Sequence, residues 1–277
     1  MLEPIFIAKP TPRVLRVYPA YAALFPRLHA ALAEFHPVVP LDLPDIWVRD
    51  FLPVQHCQTG ELVQPFFNPR YANYTPRFTE RIRQAVRRIF PVPPCTAVID
   101  GGNISWGPER TVFCLKYPGA LSDETALADA LGARRVVWLP PEEGDKIGHI
   151  DGFMQFIGRT LLVSDERFDP YLKKLLSRRL DAVRKACPDI AVRFLPCVPD
   201  GYDKSGLSAK GVYVNFLETS RAVFVPQFSL PQDRKVFAII KAVTDKPVIG
   251  IECAAVSRYG GAVHCLTQTY RRAYDVI

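Results

Sequence analysis

The sequence predicts an α/β fold made of five repeats of one helix–strand unit, and three observations support this. Short amphipathic helices alternate with apolar runs of strand length. A polar or acidic motif closes each unit, and the motifs recur roughly every fifty to sixty residues. The motifs are Trp47-Val48-Arg49-Asp50, Asp100-Gly101-Gly102-Asn103, Gly148-His149-Ile150-Asp151, Val214-Asn215-Phe216 and Gly260-Gly261-Ala262-Val263-His264-Cys265. Such units form either a layered sheet or a closed, pseudo-symmetric five-bladed ring. The regular spacing favours the ring, in which all five motifs face one centre.

Five stretches have helical periodicity. Helices are predicted around Leu28 to Phe35, along Ile82 to Ile89, over Leu127 to Leu131, along Leu172 to Val183, and along Val236 to Val243. Asp169-Pro170 supplies an N-cap and a first-turn proline for the fourth helix, and Gly132 ends the third. Pro19 and Pro26 are expected to limit how far the first helix extends backwards.

Apolar runs rich in β-branched and aromatic residues separate these helices. Strands are predicted over Val38 to Leu43, Arg135 to Leu139, Phe153 to Val163, Ala222 to Val225 and Val248 to Ile251. Each unit therefore has room for one helix and two or three strands.

Composition limits the function classes. The 277 residues are 48% hydrophobic and contain no low-complexity linker, which predicts a single domain over residues 1–277. The net charge of +7 comes without a nucleic-acid motif, and no apolar run is long enough to cross a membrane, so neither partner is expected. Seven widely spaced cysteines without a CxxC pair argue against disulfides and structural zinc. Because there is neither a membrane-length apolar run nor a signal-like stretch near the N-terminus, we expect a cytoplasmic protein.

A thiol, a histidine and several carboxylates stand in the motifs. In a strand, His149 and Asp151 would share one face, whereas the neighbours His264 and Cys265 would face opposite ways. His149 is therefore the expected partner of the Cys265 thiol. This combination is typical of nucleophilic catalysis, in which a thiolate attacks an electron-poor carbon and a histidine transfers protons.

The carboxylates indicate which electrophile fits. Anions beside a carbonyl would oppose a developing oxyanion, whereas a planar guanidinium is a permanent cation whose five donors pair with carboxylates. The sequence therefore predicts a guanidinium substrate held by carboxylates of the motifs. Because the same carboxylates disfavour a thiolate, we expect the substrate cation to assist the ionisation of Cys265.

The strings WVRD, DGGN, GHID and GGAVHCLTQ resemble the agmatine deiminase and bacterial-type peptidyl-arginine deiminase family of the guanidino-group-modifying (pentein) superfamily. The resemblance extends from about Trp47 to Gln268. It implies a five-bladed αβ propeller and a hydrolase that converts a guanidinium compound to a ureido product and ammonia. It also implies Cys265 as nucleophile, His149 as acid and base, Asp50 and Asp151 as guanidinium ligands, and no metal or cofactor.

Several alternatives remain open at this point. The resemblance makes agmatine the default substrate, with free arginine or a C-terminal arginyl peptide next. An amidinotransferase would use the same cysteine, and a silent guanidinium-binding protein would lack turnover. A homo-oligomer is also possible in this family.

Four further residues are candidate substrate contacts. Trp47 would pack against the guanidinium or fill the core. Asp100 and Asn103 would contact the substrate or form a turn. Arg70 could meet a substrate carboxylate. Asn215 is expected to be structural. The sequence departs from the family pattern around these positions, with Asp100 where the family frequently has Glu and Leu52 in place of a glycine.

Overall fold

A computed structural model describes residues 3–69, 74–93, 95–116, 123–197 and 207–270. Eight α-helices lie in these residues. They are α1 Pro12–Val17, α2 Tyr21–Ala33, α3 Val48–Phe51, α4 Pro76–Ile89, α5 Glu124–Leu131, α6 Pro170–Ala186, α7 Asp233–Lys241 and α8 Ala254–Ser257. The strands are β1 Ile5–Ala8, β2 Val38–Leu41, β3 Val54–Gln55, β4 Leu62–Val63, β5 Ser105–Gly107, β6 Thr111–Leu115, β7 Arg135–Leu139, β8 Met154–Ile157, β9 Thr160–Asp165, β10 Ala191–Pro196, β11 Leu217–Glu218, β12 Val223–Gln227, β13 Val248–Glu252 and β14 Gln268–Thr269.

The strands form five small sheets within the described residues, in agreement with five repeated units. Four of the sheets share one pattern, in which a central strand has one antiparallel and one parallel neighbour. Their strand orders are β14-β1-β2, β5-β6-β7, β8-β9-β10 and β11-β12-β13. The fifth sheet is the antiparallel pair β3-β4. The α/β class is confirmed, and the repeated pattern explains the regular motif spacing.

The predicted helix signals are found at α5 and α6. The Asp169 carboxylate accepts hydrogen bonds from the backbone N–H groups of Tyr171 and Leu172, so it is the N-cap of α6. Gly132 follows α5 in the left-handed conformation, with φ of 67°. A side chain there would be strained, which is why a glycine ends this helix.

Two predicted boundaries are wrong. The run from Phe153 to Val163 is a hairpin of two strands, because Gly158 adopts a positive φ of 56° and reverses the chain between β8 and β9. Helix α2 begins at Tyr21 and continues through Pro26. Proline removes one helical hydrogen bond, but the buried face formed by Tyr21, Leu24, Leu28 and Leu32 stabilises the helix by more than that loss.

The two ends of the described chain meet. Strand β14 pairs with β1, with Ile5 opposite Thr269 and Phe6 opposite Gln268. This pairing joins the last unit to the first, as a closed ring requires. Among the described residues, no helix is both long and apolar enough to span a bilayer.

Candidate active site

A cavity of about 660 Å³ contains the predicted chemistry, and we call it the front cavity. Its walls include Trp47, Asp50, His149, Asp151 and Cys265. All of these side chains are buried, so water reaches them only through the cavity. Four of the five motifs therefore contribute residues to the walls of this cavity, including Asn215 and Gly260.

The five motifs contact one another in a circle. Arg49 donates its backbone N–H to the Cys265 carbonyl at 3.2 Å, and Asn215 accepts the N–H groups of Ala262 (3.0 Å) and Cys265 (3.3 Å). The Asn215 amide also donates to the Asp151 carbonyl at 3.4 Å. His149 contacts Asp100, and the turn that begins after Asp100 packs on α3. The backbone thus holds the functional side chains in one rigid arrangement.

The Cys265 thiol lies between an acceptor and a donor. It donates to Asp151 Oδ2 at 3.3 Å, and Asn215 Nδ2 donates to the sulfur at 3.1 Å. The same Asp151 oxygen accepts a hydrogen bond from His264 Nδ1 at 2.8 Å. Asp151 is therefore shared by the thiol and by a histidine that strand geometry would have directed away from it.

His149 lies among three carboxylates. Its Nε2 is 3.1 Å from Asp100 Oδ2, and its Nδ1 is 3.5 Å from Asp50 Oδ1. Burial alone would lower the pKa of His149, but Asp50, Asp100 and Asp151 together raise it above its usual range. The imidazolium form is therefore favoured at neutral pH, which makes His149 a proton donor in the resting site.

The field at the thiol opposes ionisation. Burial raises the pKa of Cys265 well above its usual value, and the charges of Asp151 and Asp50 raise it further. Only the Asn215 donor acts in the opposite direction among the main contributions. The thiolate needs a compensating cation before it can act as a nucleophile.

Two glycines allow these groups to approach one another. A Cβ at Gly102 would lie 2.6 Å from both Asp50 Oδ1 and His149 Nδ1. A Cβ at Gly261 would lie 2.9 Å from the Cys265 sulfur and 2.7 Å from the Trp47 ring. Since real Cβ atoms do not approach other atoms so closely, the site requires glycine at both positions.

The expected strand geometry at the motifs is wrong. His149 is the N-cap of the short 3-10 helix Ile150–Gly152, and Cys265 lies in a turn after Gly261. In these tight turns consecutive side chains do not alternate as they do along a strand. His264 and Cys265 therefore both reach Asp151, although strand geometry would have separated them.

Other predicted contacts have different environments. Asn103 is fully buried and pairs with the backbone of Leu115, accepting its N–H at 2.8 Å and donating to its carbonyl at 2.9 Å. It does not line the front cavity, and its surroundings are those of a structural residue. Asp100 does not line the front cavity, and its Oδ2 lies 3.1 Å from His149 Nε2. Asn215, expected to be structural, contacts the thiol directly. Arg70 lies outside the described residues.

A second, smaller cavity of about 190 Å³ adjoins the same motifs, and we call it the back cavity. Arg49 and His264 line it, whereas their sequence neighbours Asp50 and Cys265 line the front cavity. The Arg49 guanidinium bonds to the side-chain oxygen of Gln268, and its Nε donates to the His264 carbonyl at 3.4 Å. The two cavities therefore share a wall made of two motifs.

Comparison with known proteins gives one family. Residues 7–270 match the family of Porphyromonas-type peptidyl-arginine deiminases. An agmatine deiminase of Pseudomonas aeruginosa (strain LESB58) is 27% identical over 213 residues, which cover 62% of this chain and 56% of that protein. The chain thus spans little more than half the length of that relative.

Solved structures show the same fold. The agmatine deiminase of C. jejuni superposes with a TM-score of 0.79 at 17% identity, covering 98% of this chain and 94% of the other. The agmatine deiminase of Enterococcus faecalis gives 0.75 at 19% identity, with the same two coverages. At these identities the likeness establishes the fold alone.

Proposed function

The chain belongs to the Porphyromonas-type peptidyl-arginine deiminase family, and we propose that it is a guanidine iminohydrolase that forms a covalent intermediate on Cys265. The observation that carries the proposal is the Cys265 thiol beside Asp151 in a buried cavity that also holds Asp50 and His149. The agmatine deiminases among its relatives support the reaction type.

The front cavity selects for a cation. Its described walls carry four aspartates, which are Asp45, Asp50, Asp145 and Asp151, against one arginine, Arg258. A guanidinium offers donors in one plane to carboxylates on either side, and Trp47 presents an aromatic wall beside it. Because the whole chain is basic, attraction of a cationic substrate depends on this local charge.

The reaction has two halves. The substrate cation lies between Asp50 and Asp151, and its charge favours the thiolate, so the Cys265 thiol releases its proton to water in the cavity. The thiolate sulfur then attacks the central guanidinium carbon. The C–N bond to one amino group then breaks, and the departing ammonia takes a proton from the His149 imidazolium. This leaves a thiouronium on Cys265.

Hydrolysis restores the enzyme. Neutral His149 takes a proton from water, and the hydroxyl adds to the thiouronium carbon. The C–S bond then breaks as the hydroxyl proton passes to the departing sulfur, which restores the Cys265 thiol. The product is a neutral ureido compound, so its release is favoured by the loss of the charge that the carboxylates held.

We extend the proposal to the substrate tail, which is the part of the substrate beyond its guanidinium group. We take agmatine as the first substrate, because the carboxylate of Asp145 also lines the cavity and suits a terminal ammonium. Free arginine or a C-terminal arginyl peptide is the second, because Arg258 lines the same cavity and suits an α-carboxylate. We also place the protein in the cytoplasm, since all seven cysteines are free thiols.

The test is release of ureido product and ammonia from agmatine, arginine and a C-terminal arginyl peptide. Cys265→Ala should abolish turnover, whereas Cys95→Ser, at a partly exposed cysteine outside both cavities, should retain it. Loss of the substrate with formation of a new guanidino compound from an added amine, without ureido product or stoichiometric ammonia, would indicate amidino transfer instead. Turnover that survives in Cys265→Ala would refute the mechanism.

A further inference from the structure

His264 has no role in the steps above, yet it lies at the junction of the two cavities. Its Nδ1 is 2.8 Å from Asp151 Oδ2, the oxygen that also accepts the Cys265 thiol at 3.3 Å. Its side chain is buried and lines the back cavity. It is therefore the described side chain that reaches the reactive pair from the side opposite the substrate.

The protonation state of His264 follows from its surroundings. Burial lowers its pKa, and the nearby Arg49 cation lowers it further, to about 4. The ring is thus neutral at physiological pH. A carboxylate only accepts hydrogen bonds, so the neutral ring must carry its proton on Nδ1 and donate it to Asp151.

A neutral donor suits this position better than a charged one. An imidazolium in contact with Asp151 would cancel the charge that must hold a guanidinium. A neutral N–H instead satisfies one oxygen of a buried carboxylate and leaves its net charge in place. Burial alone would raise the pKa of Asp151, and the His264 hydrogen bond helps to hold it below its usual range.

We infer that His264 is a positioning residue for the Asp151–Cys265 pair. Its neutral imidazole fixes the Asp151 carboxylate by donating Nδ1–H to Oδ2, and it weakens the hold of that oxygen on the thiol hydrogen. The role of Asp151 as a guanidinium ligand rests on the proposed function. The effect on the thiol does not, because it needs no substrate.

The direction of the effect on the thiol can be worked out from the groups that face it. Cys265 faces the negative charges of Asp151 and Asp50 and the Asn215 donor, and His264 faces Arg49, Asp151 and His149. Without the His264 donor, Asp151 Oδ2 becomes a stronger acceptor for the S–H and repels the thiolate more. Both changes raise the pKa of Cys265, so the thiol reacts more slowly at a given pH.

The experiment compares His264→Leu with His264→Asn in the full chain. The two replacements have similar size, but only the asparagine amide has a donor near the position of Nδ1. The rate of Cys265 alkylation by iodoacetamide is measured between pH 7 and 9 by mass spectrometry of the Cys265 peptide. We expect about a tenfold slower rate in His264→Leu, as for a rise of one pKa unit, and a rate within about twofold of wild type in His264→Asn.

Three results would overturn the inference: no change in either variant, an equal loss in both, or a faster rate in His264→Leu. Thermal unfolding checks that each variant is folded. If His264→Leu does not fold, His264→Gln replaces it, because its amide lies farther out and should not reproduce the Nδ1 contact. The same slow alkylation is then expected.

Steady-state kinetics separate this inference from the proposed function. His264→Leu should lower kcat/KM for agmatine and move the acidic limb of its pH profile upwards, because Asp151 loses a donor that favours its ionised form. If wild type turns over no guanidino compound, the proposed function fails, and the alkylation rates still decide the role of His264. If turnover and alkylation are both normal in His264→Leu, the function stands and the inference fails.

Discussion

The front and back cavities are lined by neighbouring residues of the same two motifs but differ in charge. Asp50 and Cys265 face the front cavity, where four aspartates meet one arginine among the described wall residues. Arg49 and His264 face the back cavity, where the described charged side chains are Arg49 and Glu218. Glu218 is paired there with Lys246 at 2.8 Å. One cavity is acidic and the other is close to neutral.

This difference shows how a short turn serves two purposes. Because consecutive side chains leave a tight turn in different directions, each motif places one residue against the substrate cavity and the next behind it. Groups that would compete with a cationic substrate, such as the Arg49 guanidinium, are held on the far side. There burial, together with the charge of Arg49, lowers the pKa of His264 and keeps its ring neutral. The acidic cavity therefore depends on its neighbour for the state of its catalytic groups.

Asp151→Asn is expected to have the largest effect, because Asp151 is the link between the two cavities. The change removes a guanidinium ligand, the acceptor of the thiol and the acceptor of His264. We expect kcat/KM to fall by about 10³-fold or more in the ammonia-release assay. Alkylation of Cys265 at pH 7 should become faster at the same time, since a negative charge that raises the thiol pKa is gone.

The test is strict because Asp151→Asn should lower kcat/KM and, at the same time, speed the alkylation of Cys265. Loss of turnover together with slower alkylation would mean that the protein is disturbed more widely than at one charge. Asp181→Asn, on the exposed face of α6, is the matched control and should change neither rate. Retained turnover in Asp151→Asn would contradict the assignment of the guanidinium site to the front cavity.

Gly261→Ala comes next, since it adds one methyl group behind the nucleophile without changing any charge. The new Cβ would need space now occupied by the Cys265 sulfur and the Trp47 ring. A displacement of about 1 Å at a reacting atom can cost about 10²-fold in rate, and we expect a loss of that order in kcat.

Gly158→Ala is the control that separates the effect of a displaced Cys265 sulfur from the effect of backbone strain. Gly158 has φ of 56° in the β8–β9 turn and open space around it. Alanine there should lower the free energy of unfolding by about 1 kcal/mol and leave kcat unchanged. Equal kcat losses in the two variants would mean that stability, and not the position of the thiol, limits the rate.

A third prediction concerns the charge of the front cavity itself. Guanidinium ion bound between the carboxylates should offset the charges that raise the Cys265 pKa, so the alkylation profile should shift to lower pH by about one unit. Rates are measured from pH 7 to 10 with guanidinium chloride and with sodium chloride at equal ionic strength. The shift should vanish in Asp151→Asn. An unchanged or higher apparent pKa in wild type would reject activation by the substrate cation.

Much of the fold could be predicted from the sequence, because it depends on local signals. The stripe along α6, the Asp169 cap and the Gly132 stop are set by neighbours within a few residues. The short strands β3, β11 and β14 have two residues each, too few for an alternating pattern, and β14 pairs with β1 at the other end of the described chain. Such strands are defined by the assembled sheet and not by their own sequence.

The residue types that form the site could be predicted from the sequence, but the directions in which their side chains point could not. The residue types at Asp50, His149, Asp151 and Cys265 are sufficient to indicate a thiol and a cation site. The direction of each side chain depends on the backbone conformation. If the motifs were strands, the side chain of His264 would point away from Asp151. A turn is indicated by the glycine pair that precedes Cys265. That signal could have identified His264.

Asn103 belongs to one of the five motifs but does not line the front cavity. Its replacement is therefore expected to have the smallest effect on activity. It follows directly on glycines that the site requires, yet its amide pairs only with the Leu115 backbone and it lines neither cavity. Asn103→Ala would leave a buried N–H and carbonyl without these partners, which should lower the free energy of unfolding by about 3 kcal/mol. At a temperature where the variant is folded, kcat should remain within about threefold of wild type. A drop in kcat of more than tenfold without loss of stability would show that Asn103 acts on the groups of the front cavity. Its assignment as a purely structural residue would then be wrong.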